Sequence, residues 1–152
     1  GYVLSKGLEP AILESDDYIL PKDKLRLSRR TVKFLNLDQD VFFEKAIPYL
    51  KFYNDLKHII KTYKPKLVVW GKNDYQALED SFNLHQLKPL VQQKDFIDLL
   101  KLHKDFFNLR DDLGLFKAYK TYYEKDLEQA HDAKDDAMIT KLVFDAFLNR
   151  VA

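Results

Sequence analysis

Apolar positions along this chain follow two periods, and the order in which they alternate sets the expected fold class. Tyr2-Val3-Leu4 reads as a short strand and Lys6-Gly7 as a turn. Ala11 to Leu20 (AILESDDYIL) reads as a second strand closed by Pro21, so the chain opens with a hairpin. Ser28 is placed to cap a short helix ending near Leu35. From Gln39 to about Tyr63, residues such as Phe42, Ala46, Leu50, Tyr53, Leu56 and Ile60 recur at helical spacing. Pro48 either splits that stretch or begins its second helix.

The second half mixes strand and helix. Leu67-Val68-Val69-Trp70 is a continuous apolar run of the kind that suits a strand buried on both faces, and Gly71 ends it. A helix follows at once, with Tyr75, Leu78 and Phe82 on one side. Phe96 to Leu100 is expected to pass from strand into a helix through Leu102, and Leu113 to Tyr123 to be helical. Ala133 to about Val151 reads as an amphipathic helix with Ala133, Ala137, Thr140, Phe144, Phe147 and Val151 along its stripe. The expected architecture is α/β, a mixed sheet flanked by helices with an antiparallel part at the front, in a single domain over residues 1–152.

Composition changes this picture little. With 11 Phe and 9 Tyr, large rings are expected to dominate the interior. A net charge of +1 favours neither nucleic acid nor a protein partner. The absence of cysteine excludes disulfides and thiolate metal sites, and is compatible with a reducing, cytoplasmic setting. No apolar run approaches bilayer length and the opening has no signal-peptide pattern, so no membrane association is expected. Lys22, Lys24, Arg26, Arg29, Arg30 and Lys33 form a basic cluster, read either as a solvated surface or as a phosphate contact led by Arg29 and Arg30. His58, His85 and His103 have no ligand partner at useful spacing and read as structural or surface residues. Trp70 reads as a strand-end packing aromatic, with base stacking as the alternative.

Two segments carry candidate chemistry. In Trp70-Gly71-Lys72-Asn73-Asp74-Tyr75, a strand ends and Asp74 opens the next helix, where ligands gather in α/β sheets. Asn73 or Asp74 would equally serve as a plain helix cap. In His131-Asp132-Ala133-Lys134-Asp135-Asp136, Asp132 and Asp135 are spaced as a capping box. That leaves His131 in the loop before the helix and Asp136 inside it, beside the apolar stripe, where a carboxylate is costly to bury unless paired or bound to a cation.

Taken together, these segments carry a family resemblance. QAHDAKDDAMIT resembles the third motif of the DEDDh-type 3′–5′ exonucleases, with Asp136 five positions after His131. VVWGKNDYQAL resembles their second motif, and LRDDLGLFKAYKTYY the helical stretch ahead of the third. YILPKDKLRLSRRTVKFLNLDQD resembles the strand, Pro and short helix ahead of the family's long helix. The resemblance implies a ribonuclease H-like fold and a metal-dependent enzyme removing nucleotides from the 3′ ends of single-stranded DNA or RNA. It implies Asp74 and Asp136 as ligands of a pair of Mg²⁺ or Mn²⁺ ions and His131 as general base; from the residues themselves, Asn73 is placed either to orient substrate near Asp74 or simply to cap the helix, and Arg29 and Arg30 are the phosphate contacts if the basic cluster is functional. Those residue types suit such chemistry, since hard oxygens hold the cations and a neutral imidazole accepts a water's proton.

One departure stands out. The family's first motif, Asp-x-Glu on the first and central strand, has no counterpart ahead of the other motifs, and Tyr2-Val3-Leu4-Ser5 resembles the family's second strand. Glu14, Asp16 and Asp17 are poor substitutes, on a strand remote from the metal centre. The expectation is thus an N-terminally incomplete domain with two unpaired sheet edges. The missing strand would come from an N-terminal segment, a fusion domain or a partner chain. The alternative is a catalytically inactive module of this fold that binds nucleic acid or protein.

Overall fold

The computed structural model describes residues 1–23, 26–124 and 133–151. Tyr2–Ser5 (β1) and Ala11–Ser15 (β2) form the antiparallel hairpin, with Tyr2 opposite Ser15 and Leu4 opposite Leu13. Gly7 sits at φ +57° in the turn, which the Glu9 N–H closes onto the Lys6 carbonyl at 3.1 Å. The second strand stops at Ser15 instead of running to Leu20. Asp is a poor strand former, and the Ser15 hydroxyl donates to Asp17 at 3.2 Å, a local bond that competes with the ladder. Ile19 then makes a single parallel bridge to Ile47.

Arg29–Leu35 (α1) begins at Ser28, whose Oγ accepts the Thr31 N–H at 3.1 Å, and ends at Asn36 in the left-handed conformation. The long helical period resolves into Gln39–Lys45 (α2) and Tyr49–Tyr63 (α3), with Pro48 at the N-cap of α3. The break frees Ile47 to reach Ile19. Leu67–Val69 (β3) pairs in parallel with Phe96–Asp98 (β4), and Asn73–Leu84 (α4) lies between them in sequence. Leu99–Phe106 (α5), Leu115–Tyr123 (α6) and Ala133–Val151 (α7) complete the described elements.

The protein is thus mixed α/β and rich in helix, but its strands form two separate two-stranded sheets rather than one mixed sheet. Among the described residues β1 pairs with β2 alone and β3 with β4 alone. β3 is covered on both faces, as its apolar run implied, but its residues are half-buried rather than enclosed, because among the described residues no further strand pairs with its second edge. Side chains alternate across it. Leu67 and its partner Phe96 face a cluster of Tyr49, Tyr53, Phe82 and Val91, while Val68 and Trp70 face Leu99, Ala118, Tyr119, Val143 and Phe147. Helices therefore cover β3–β4 on both sides. Phe82, Leu99 and Val143 are almost wholly enclosed, each contributing about 1.5–3 kcal/mol of burial.

Helix α7 packs on α6, on β1 and on β3, and so joins the two sheets. Its inward stripe runs through Val143 and Phe147; Val143, absent from the expected stripe, is its most enclosed residue, and Val151 is exposed where the helix runs past the core. At its other end, a Cβ on Gly1 would lie 2.7 Å from the backbone of Ala133 and Lys134, so β1 and α7 start against one another.

Candidate functional site

The parallel strands β3 and β4 end side by side, Val69 opposite Asp98, and it is outside the carboxyl ends of such strands that ligands gather in α/β sheets. Gly71 turns the chain out of β3 at φ +95°, a conformation that L side chains adopt only under strain. Asp98 fixes this turn. Its Oδ1 accepts the N–H of Gly71 at 3.1 Å and of Lys101 at 3.2 Å, so one carboxylate ties down the exit of β3 and caps α5. Sequence reasoning did not single out Asp98. Its signal was present as an Asp between a strand-like Phe96-Ile97 and a helix start.

Trp70 packs inward. Its indole N–H donates to the Leu113 carbonyl at 3.0 Å and its ring lies 5.7 Å from that of His103. Asn73 and Asp74 form the first turn of α4, both exposed. Neither is the cap: the N-cap position is Lys72 and has no side-chain capping bond. Asp74 therefore holds its carboxylate at the surface beside the end of β3, where the helix dipole favours negative charge.

Asp136 lies in the first turn of α7. It is half-buried, with one carboxylate oxygen shielded from solvent, and its carbonyl accepts the Thr140 hydroxyl at 2.9 Å. His131 and Asp132 lie outside the described residues, and with them the proposed general base and the capping box. Asp74 and Asp136 thus belong to separate helices related through β3, which leads into α4 and packs on α7. Among the described residues no group of three His, Cys, Asp or Glu side chains is arranged to hold a metal ion.

Arg29 and Arg30 are exposed on α1. Lys22 leaves the basic cluster, because its ammonium donates to the Leu84 carbonyl at 2.7 Å, and Lys24 lies outside the described residues. The other histidines occupy surface or structural positions. His58 is exposed on α3, and His85 stacks on Tyr49 with ring centroids 3.8 Å apart. His103 is only 2% exposed, among Trp70, Phe107, Tyr122 and Phe147, and burial holds its pKa below the ordinary imidazole value.

The molecule at this point is a mixed α/β protein with an acidic residue just past the end of a strand and a half-buried Asp on a second helix. Comparison with known proteins narrows the class. The chain is 24% identical over 140 residues to KapD, a probable 3′–5′ exonuclease of Bacillus subtilis (strain 168), across 91% of this chain and 67% of that protein. A match of that length spans both Asp74 and Asp136. The similarity supports an exonuclease relationship and a nuclease function. No protein-family profile matches the chain, and no solved structure does. No helix among the described residues is long and apolar enough to cross a membrane.

Proposed function

We propose that this chain is a DEDDh-type, metal-dependent 3′–5′ exonuclease domain with a ribonuclease H-like fold, acting on the 3′ ends of single-stranded DNA or RNA. The observation that carries the reading is the similarity to KapD along 91% of the chain. The donor chemistry supports it. Asp74 and Asp136 offer the hard oxygens that Mg²⁺ or Mn²⁺ prefers. A pair of such ions would stabilise the attacking and leaving oxygens of a phosphodiester. In this reading His131 takes the proton of the attacking water, Asn73 orients the substrate beside Asp74, and Arg29 and Arg30 hold phosphates.

Two further carboxylates are needed, and the arrangement of the strands supports where they would enter. β1 and β3 each pair on one side only among the described residues, and α7 packs on both. A further strand between them, bearing Asp-x-Glu and supplied by a longer form of this chain, a fused domain or a partner, would join the hairpin and the parallel pair into one mixed sheet.

The test uses the intact protein with a 5′-labelled single-stranded oligonucleotide and Mg²⁺ or Mn²⁺. Stepwise shortening from the 3′ end is expected, falling by at least about a hundredfold in Asp74→Asn and in Asp136→Asn, as for loss of an electrostatic stabiliser of the transition state. An Asp136→Asn rate within a few-fold of the parent would refute the site. Tight binding of the oligonucleotide without shortening under any metal would favour the inactive module instead.

A further inference from the structure

Asp74 is not held in place by its own side chain. Among the described residues no hydrogen bond or ion pair engages its carboxylate, which stands exposed in the first turn of α4. Its position is therefore set by where that turn of backbone lies, and α4 does not fix its own start. The N-cap position is Lys72, which makes no side-chain capping bond, and the residue before it is Gly71 at φ +95°. A Cβ on Gly71 would meet Leu100 Cδ2 at 3.7 Å, an ordinary contact, so the glycine serves the conformation of the turn and not a shortage of space. Glycine is also the residue least able to hold one conformation unaided.

The turn is instead held from outside. The Trp70 indole N–H is tied to the Leu113 carbonyl at 3.0 Å, and the Gly71 N–H to Asp98 Oδ1 at 3.1 Å. Asp98 is itself anchored. It ends β4, and the same oxygen accepts the Lys101 N–H at 3.2 Å as the cap of α5. One carboxylate thus joins the end of β4, the start of α5 and the exit of β3, and Asp74 follows the gripped amide by three positions.

We infer that Asp98 is a positioning residue for Asp74: by accepting the Gly71 N–H it fixes where α4 starts, and so where the Asp74 carboxylate stands. The inference deepens the nuclease reading and rests on it for the role of Asp74. Asp98 acts through its acceptor oxygen, so an amide in its place serves, and a side chain too short to cross to Gly71 does not.

The test is 3′ shortening of a 5′-labelled single-stranded oligonucleotide by the intact protein, measured against Mn²⁺ concentration. Asp98→Ser keeps a good N-cap for α5, but its hydroxyl stands one bond closer to the backbone and leaves the Gly71 N–H unmet. It is expected to lower the rate by up to about a hundredfold, the cost of misplacing a reacting group by roughly 1 Å, and to raise the Mn²⁺ concentration at half-maximal rate. Asp98→Asn retains an acceptor oxygen and is expected to come within a few-fold of the parent in both readouts. In an Asp74→Asn background Asp98→Ser is expected to add little, because effects of residues that act through one another do not add. Circular dichroism checks that each variant is folded under assay conditions. An Asp98→Ser protein with the parent's rate and Mn²⁺ requirement overturns the inference. So does a loss that multiplies in full with that of Asp74→Asn, the mark of a merely structural role. An Asp98→Asn protein no better than Asp98→Ser overturns it too, since the charge and not the hydrogen bond is then what matters. The two readings fail distinguishably: a parent that shortens the oligonucleotide beside an unaltered Asp98→Ser sinks the positioning role alone, whereas a parent that shortens nothing under any metal sinks the nuclease reading and this role with it.

Discussion

Replacing His103 with Phe is expected to make the protein more stable, and by more at low pH than at high. His103 is 2% exposed, and neither ring nitrogen meets a hydrogen-bonding partner among the described residues. Around it stand the rings of Trp70, Phe107, Tyr122 and Phe147 at centroid distances of 4.9 to 6.3 Å. A buried polar group left unsatisfied costs about 1–3 kcal/mol, whereas an apolar ring of similar shape costs nothing of that kind. Against this stands the slightly larger phenyl ring, since overpacking a core is itself destabilising. The expected net gain at pH 8 is about 1 kcal/mol, a rise in Tm of about 2–4 °C for a chain of this length.

The pH dependence has a definite sign. Burial lowers the folded-state pKa of His103 below that of the unfolded chain, so folding favours the neutral ring. Its contribution is fully present above the unfolded value of about 6.5 and is lost as pH falls from there through the depressed folded value, at up to about 1.4 kcal/mol per pH unit. Urea unfolding of parent and variant at pH 8, 6.5 and 5 measures this as a difference, so carboxylates common to both cancel. A His103→Phe protein less stable than the parent at pH 8, or a stability gap that stays constant between pH 8 and 5, would refute the reasoning.

Two other substitutions test how local bonds hold the site and its supporting helix. Asp98→Ala removes both the cap of α5 and the acceptor for Gly71, and is expected to cost about 2–3 kcal/mol in urea unfolding, with Asp98→Asn recovering much of it. Lys141→Met strands Asp145, whose partner ammonium lies 2.6 Å away with both side chains largely enclosed. It should cost about 3–5 kcal/mol, whereas Lys51→Met at the solvent-screened, exposed Lys51–Asp55 pair should leave the urea midpoint nearly unchanged.

Elements with strong local signals were legible in the sequence. The hairpin turn at Gly7, the Ser28 cap, the break at Pro48, the passage from strand to helix at Asp98 and the long last helix all follow from nearest-neighbour chemistry. What failed depended on the rest of the molecule. The length of β2 depends on how much of β1 lies opposite it, and Asp16 and Asp17 end it early. The burial of β3 depends on how many strands flank it, which an apolar tetrapeptide does not record. The stripe of α7 was misread because a helix that meets both β1 and β3 is apolar on more than one side, leaving Val143 outside any single-face count. At the site, Asp74 was found from its position after a strand. Asp98 was missed because a residue acting on the backbone of Gly71, 27 positions away, leaves only a cap pattern in sequence.

The division of labour between α7 and the strands bears on how the two candidate carboxylates are related. Unpaired strand edges leave backbone N–H and C=O groups to seek partners, and natural sheets cover, shorten or pair them. β1 and β3 are short, at four and three residues, and α7 holds both by side-chain packing rather than through the ladder. That packing sets the spacing of the two sheets, between whose strands no hydrogen bond runs among the described residues. Asp136 stands on the turn of α7 against which β1 begins, and Asp74 follows the end of β3. The helix that spans the sheets thus carries one carboxylate, and the strand it spans to delivers the other. A strand inserted between β1 and β3 would adjust the geometry of both through the same element, so strand pairing and the arrangement of acidic groups are coupled in this fold rather than independent features of it.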